Sequence, residues 1–385
     1  MTRFNGSRRR ALWIAALATL ALVLAGCSLD SGPENRQNPL RPRGEPAKQI
    51  DDLQTPIFWI AIGVGIFIIC ATVFVAVRFR RRKGDDDRPK QIHGNTPLEI
   101  GWTLVPALLL AVIAVPTVSV IFDISEEPAN ALEVTVVGKQ WWWQFDYPKQ
   151  EGIDKKLVTA NELHIPTGRD VFLRLHACDE SLPGGADGNP GCNVIHSFWV
   201  PELAGKRDVV PGRTNTMRLR AEEPGTYLGQ CAEYCGLSHA NMRFRVIAQT
   251  PEEFEEWVAG QLEGPAVALE DSDAAQLFTE KFACTNCHTT EDSSASVYGP
   301  NLTHFASRET FASGYYEITR DRLIEWILDA PSLIPMESEE CRLPPSPFEH
   351  TCVGMPSFTK DTPEGQPTMT RAEAETLADY LLELT

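Results

Sequence analysis

The sequence predicts a multidomain chain made of a two-helix transmembrane hairpin, an all-β sandwich and an all-α C-terminal domain. Three observations predict it: two long uncharged apolar stretches, Ile57 to Val77 and Ile100 to Phe122; a series of short β-rich runs between Leu132 and Gln249; and, after Pro251, amphipathic helical patches at Glu252 to Leu262, Ala274 to Cys287, Arg320 to Asp329 and Arg371 to Leu384. A length of 385 residues accommodates several domains, and 43% hydrophobic with 23% charged residues fits globular modules plus membrane. The net charge of −17 argues against a nucleic-acid partner, because phosphate binding needs a basic face. Pro251 to Thr385 holds 26 acidic against 7 basic residues, a net of −19, so the acidity is concentrated there.

The chain begins with Arg3, Arg8, Arg9 and Arg10, then an apolar run from Ala11 to Ala25, then Leu24-Ala25-Gly26-Cys27. A basic start and a short apolar run read as an export signal over residues 1–26, since a span needs roughly 20 apolar residues. The tetrad resembles the bacterial lipoprotein signal, which implies a lipid on Cys27; the alternative is a third membrane helix. Residues 27–55, rich in Pro, Gly and charge at their start, read as a flexible tether. The apolar stretches then form a hairpin over residues 56–125. Between them Arg78, Arg80, Arg81, Arg82, Lys83, Arg88 and Lys90 place the connecting loop on the cytoplasmic side, and everything after Phe122 outside. The expected location is a bacterial cytoplasmic membrane, with lipid and both soluble domains at its outer face.

Residues 126–250 alternate β-rich runs with Gly/Pro turns, the pattern of a sandwich. Its last loop carries Cys231-Ala-Glu233-Tyr-Cys235-Gly-Leu-Ser-His239-Ala-Asn-Met242, with His196 some way upstream in Val194-Ile-His196-Ser-Phe-Trp. Two thiolates, two imidazoles and a thioether are soft to borderline donors that suit copper, and the second cysteine allows both sulfurs to bridge two ions. A structural zinc site and a Cys231–Cys235 disulfide are the alternatives.

Residues 265–385 carry Cys284-Thr-Asn-Cys287-His288. Cys-x-x-Cys-His is a c-type haem attachment signal: both thiols bond the porphyrin and the imidazole ligates iron. Thioredoxin-like redox chemistry is the competing reading. A methionine should complete the iron, and Met336, Met355 and Met369 are the candidates. The oxidising compartment also allows disulfides Cys178–Cys192 and Cys341–Cys352.

Residues Val194 to Leu203, Gly205 to Arg213 and Cys231 to Met242, with Trp102-Thr-Leu-Val-Pro106 and Gln140-Trp-Trp-Trp143, resemble subunit II of cytochrome c oxidase. The resemblance covers roughly residues 50–250. It implies a cupredoxin sandwich with a binuclear copper centre, CuA, held by His196, Cys231, the Glu233 carbonyl, Cys235, His239 and Met242. It implies a magnesium ion at the subunit I interface facing the Glu233 side chain, electron entry at Trp141, and a proton-channel entrance carboxylate at Glu99. Gly354-Met355-Pro356 resembles the methionine loop of class I cytochrome c, which favours Met355 over Met336. The fusion resembles caa3-type oxidases: electrons would pass from a cytochrome bc complex or cytochrome c through the chain's own haem c and CuA to subunit I, with its haem a and CuB, beside subunit III. Oxygen would be reduced there, coupled to proton translocation. A CuA-bearing nitrous or nitric oxide reductase component and a free electron-carrier lipoprotein are the other readings; the first leaves the Trp102–Pro106 match unexplained.

Overall fold

The structure, a computed structural model, describes residues 37–80, 84, 91, 93–177, 194–264, 272–290, 298–336, 354–359 and 367–385. Cys27 and the two cysteine pairs expected as disulfides, Cys178/Cys192 and Cys341/Cys352, lie outside them.

Two apolar helices, α1 (Glu45–Arg78) and α2 (Thr96–Asp123), correspond to the two stretches of the sequence. Their apolar windows average hydropathies of 2.8 and 2.5 with no residue buried, so each offers lipid-compatible surface over a bilayer's thickness. Asn95 caps α2, its side chain accepting from the Leu98 amide at 3.3 Å. The start of α1 falls inside the stretch expected to be a flexible tether. Residues 43–47 are strapped to the sandwich instead: the Arg43 and Gly44 amides donate to the Glu202 carbonyl at 2.7 and 3.0 Å, and that of Ala47 to Leu203 at 3.2 Å. Gly44 permits this approach, since a Cβ there would fall 2.4 Å from two carbonyl oxygens.

Among the described residues ten strands follow: β1 (Leu132–Lys139), β2 (Trp142–Tyr147), β3 (Leu157–Ala160), β4 (Glu162–Pro166), β5 (Val171–His176), β6 (His196–Trp199), β7 (Lys206–Val209), β8 (Asn215–Leu219), β9 (Gly225–Cys231) and β10 (Arg243–Gln249). They form two five-stranded sheets, in the orders β3-β2-β1-β5-β8 and β4-β10-β9-β6-β7. β1 runs parallel to β5 and β10 parallel to β4; the other pairs are antiparallel. Alternation sets the inner faces: Leu132, Val134 and Val136 of β1 and Trp143, Phe145 and Tyr147 of β2 are fully buried. Trp143 lies edge-on to Phe198 and Phe244, both at 5.4 Å between ring centres, which fixes β2, β6 and β10 around one aromatic core.

After the sandwich, α3 (Pro251–Leu262) opens with a capping box between Thr250 and Glu253 and packs Phe254 and Val258 back onto it. Trp257 stacks on His164 at 4.2 Å. The expected helix from Ala274 to Cys287 is broken up. A short helix, Asp273–Ala275, widens into a π-turn over Gln276–Lys281; Ala283 is left-handed at φ 48°, and a 3-10 turn carries Cys284–Asn286. The wider turn buries Phe278 and Phe282 together and swings the cysteines off the helix axis. The C-terminal domain is also not purely helical. β11 (Thr310–Phe311) and β12 (Tyr316–Glu317) form a hairpin whose tip, Ala312, Ser313 and Gly314, has φ of 50°, 59° and 70°. α4 (Arg320–Leu333) and α5 (Arg371–Leu382) complete the domain. α4 kinks at Asp329, two residues before Pro331, and the Leu328 carbonyl accepts from the Phe358 amide at 2.8 Å, tying in the chain around Met355.

Candidate metal centre and haem pocket

Cys231 ends β9 and the loop to β10 returns Met242 beside it, the Cys231 amide donating to the Met242 carbonyl at 2.9 Å. β6, adjacent to β9, brings in His196. The Cys231 and Cys235 sulfurs lie 3.8 Å apart, Cys231 Sγ lies 3.9 Å from His196 Nδ1, and Cys235 Sγ lies 3.6 Å from His239 Nδ1 and 3.7 Å from Met242 Sδ. The Glu233 carbonyl is 3.2 Å from Cys231 Sγ. All six expected donors therefore converge, each within 4 Å of another, in a pocket where His196, Cys235 and Met242 have no exposed surface. The Cys235 hydrogen bond, above all, drops the Cys231 thiol to about 3, and the same contact plus burial pushes the Cys235 thiol up. The soft donors crowd together, and among the described residues His196 Nε2 is buried without a hydrogen-bond partner. That set fits copper ions better than a hard cation.

Trp141 is buried beside this cluster, and its Nε1–H donates to the Cys235 carbonyl at 3.0 Å. Gln140 Nε2 donates to the same oxygen at 2.7 Å. Gly236, at φ 111°, lets both approach; a Cβ there would lie 2.9 Å from Gln140 and 3.2 Å from Trp141. Glu99 sits elsewhere, exposed in the first turn of α2, accepting from the Asn95 amide at 3.0 Å.

Trp141 also forms part of the wall of an apolar cavity. The same cavity is lined by Cys284, Cys287, His288, Phe282, Leu377, Met336 and Met355. Its apolar walls push both cysteine thiols up to about 12, so both stay neutral. His288 Nδ1 is held by the Pro300 carbonyl at 2.8 Å, which assigns the proton to Nδ1 and leaves Nε2 as the basic nitrogen. Gly299 lies against that ring: a Cβ would fall 2.5 Å from His288 Cε1. Paired thiols, a backed imidazole and a thioether around one apolar space fit a covalently held haem. All three candidate methionines line the cavity: Met336 and Met355 are neighbours, the Met355 amide donating to Met336 Sδ at 3.3 Å, and Met369 is at the same time a buried member of the helical core.

Sequence reasoning missed Pro300, Gly299 and Gly138, whose added Cβ would meet His196 Cδ2 at 2.9 Å. The Gly299-Pro300 dipeptide marked a turn, but only the folded chain puts it behind His288.

The family model described as cytochrome C oxidase subunit II, periplasmic domain, matches residues 132–249. That described as the transmembrane domain matches residues 43–120. The chain is 40% identical to cytochrome c oxidase subunit 2 of Alkalihalophilus pseudofirmus over 82% of its length and 87% of that protein. It is 32% identical to the Bacillus subtilis protein of the same name, over 84% and 89%. The crystallised periplasmic domain of subunit II of cytochrome oxidase from Bradyrhizobium japonicum shares 29% identity over 34% of this chain and 94% of that one, with a TM-score of 0.28.

Proposed function

The chain belongs to the cytochrome c oxidase subunit II family, a haem-copper oxidase subunit whose family membership implies a CuA copper centre, and from that premise we propose that it is a fused electron-entry subunit with its own haem c. His196, Cys231, the Glu233 carbonyl, Cys235, His239 and Met242 would hold the binuclear copper; Cys284, Cys287 and His288 would hold the haem, with Met355 as a further ligand to its iron. When bound, the two groups supply successive one-electron carriers. The protein's own contribution is placement. The sandwich fixes five donor side chains and one carbonyl on two strands and a loop, which limits rearrangement as charge arrives. His288 is oriented by Pro300, and the neutral thiols of Cys284 and Cys287 face the cavity as the attachment points.

Trp141 carries the proposal. Like its neighbour Gln140, it both hydrogen-bonds the copper loop at the Cys235 carbonyl and walls the haem cavity, and its aromatic ring makes it the short path between them. Glu233 is half-buried on the same loop and would turn its carboxylate to a magnesium ion at the subunit I face; Glu99 would serve a proton-channel entrance at the cytoplasmic end of α2. The lipid on Cys27, subunits I and III, and a donor such as a cytochrome bc complex or cytochrome c complete the proposed assembly. The domain limits proposed are 1–26, 27–55, 56–125, 126–250 and 265–385.

Metal analysis of the purified chain tests the reading: two copper and one iron per molecule are expected. His239→Ala should lose the thiolate-to-copper absorption and keep the haem c bands. One copper per molecule, or haem bands that vanish with the copper bands, would overturn it.

A further inference from the structure

Glu162 lies in β4 of the sandwich with no exposed surface, yet none of the hydrogen bonds its carboxylate accepts from the C-terminal half serves the sandwich itself. Its Oε1 accepts from the Glu309 amide at 3.0 Å, the Thr310 amide at 2.8 Å and the Thr310 hydroxyl at 2.9 Å. All three donors belong to the start of the β11–β12 hairpin, about 150 residues away in the sequence. The half-buried Arg308, which lines the haem cavity, adds a positive charge beside the carboxylate. A buried carboxylate without such partners would be strongly unfavourable, so the site makes physical sense only with the hairpin in place.

The hairpin's other contacts point the same way. Arg245 of β10 pairs with Glu309 at 2.6 Å, and the Arg243 guanidinium lies 4.8 Å above the Tyr315 ring. The left-handed tip approaches β10, where the Gly314 Cβ position is 3.6 Å from Phe244 Cα, and the Ser313 hydroxyl donates to the Trp141 carbonyl. A second point of attachment lies across the cavity mouth, where Ser238 of the copper loop donates to the Pro335 carbonyl.

We propose that the Arg308–Glu317 hairpin is a docking element and Glu162 its receptor, together holding the C-terminal domain in one pose against its own sandwich with the Cys284–His288 cavity closed by Trp141. The partner of this surface is therefore a segment of the same chain, and the domain is not a freely swinging module. The tip explains its backbone: three successive left-handed residues turn the chain tightly enough to reach the Trp141 carbonyl. The proposal rests on protein contacts alone and stands independently of which metals or porphyrins the chain carries.

Amide hydrogen exchange on the full-length chain in detergent tests it, since the Glu309 and Thr310 amides report the latch directly. In the unaltered protein both should be protected. Glu162→Ala should speed their exchange by about tenfold or more, the expected loss when a charged acceptor is removed from buried donors, while peptides from β1, β5 and α5 exchange as before. Glu162→Gln keeps an acceptor oxygen in place and should retain most of the protection. If Glu162→Ala also loosens the sandwich, Thr310→Val tests the contact from the other side and should speed exchange of the Glu309 and Thr310 amides with β4 unchanged. Unaltered protection of both amides in Glu162→Ala and in Thr310→Val would overturn the latch. Because neither readout involves haem or copper, that result would leave the functional proposal standing.

Discussion

Gly299 and Gly138 each stand against an imidazole, and at both positions a single methyl group would decide how the ring is held. For Gly299 the added Cβ would overlap His288 Cε1 at 2.5 Å, a separation no relaxed structure tolerates, so the ring must turn away from Pro300. Gly299→Ala is expected to lower haem content several-fold, with the polypeptide still membrane-bound and copper retained; a pyridine haemochrome assay alongside copper analysis measures both. Full haem loading in that variant would show that the Pro300 contact does not orient the ligand. At this scale the sequence was most informative. Cys231, Cys235, His239 and Met242 fall in one stretch of 12 residues, and Cys284 to His288 are contiguous, so short spacing alone was enough to propose the chemistry. His196 was harder, because only the pairing of β6 with β9 closes the gap between them.

At the scale of elements, the Lys281–Glu373 ion pair joins the π-turn before the cysteines to the first turn of α5. The Lys281 hydrogen bond, assisted by the Thr370 amide, holds the Glu373 carboxyl down at about 2 against an ordinary 4.5. A depressed carboxylate stabilises the fold above its unfolded value, and that contribution is lost as pH falls from about 4.5 toward 2. Glu373→Gln keeps a capping-box side chain but removes the charge, so its melting temperature should lie slightly below the unaltered protein's at pH 7, and the gap should narrow below about pH 4.5 and close only as pH nears about 2. The effect is small, within the range of about 1 kcal/mol or less typical of solvent-screened pairs. A pH-independent gap would place the role of Glu373 in packing rather than charge. Element type was legible wherever periodicity was long: α3, α4 and α5 start within a residue of their expected positions, and both apolar helices include the stretches that foretold them. The break at Ala283 and the β11–β12 hairpin were not legible. A π-turn and a two-residue strand carry too few positions for a period to register, and both are stabilised by contacts with distant chain.

For the whole molecule, the basic run from Arg78 to Lys90 separates the two apolar helices, and charge asymmetry assigns it to the cytoplasmic face. A cysteine at Gly84 should therefore react with a membrane-impermeant maleimide in inside-out vesicles and stay unreactive in intact cells whose outer barrier is opened; the reverse pattern would invert the topology. The same orientation sends the sandwich and the C-terminal domain to one side, joined by α3 and by the hairpin. The amino-acid sequence by itself determined the pair of apolar helices, the sandwich and the set of candidate donors, because these depend on hydrophobic period and on the chemistry of neighbours in the chain. The tertiary structure decided the rest: that Gly44 straps the start of α1 to the sandwich, that Pro300 backs His288, and that Glu162 receives Thr310. Each of these joins residues far apart in sequence through burial of a polar group. The cost of burying such a group is offset only by its partner, and which partner arrives is fixed by the packing of the whole chain.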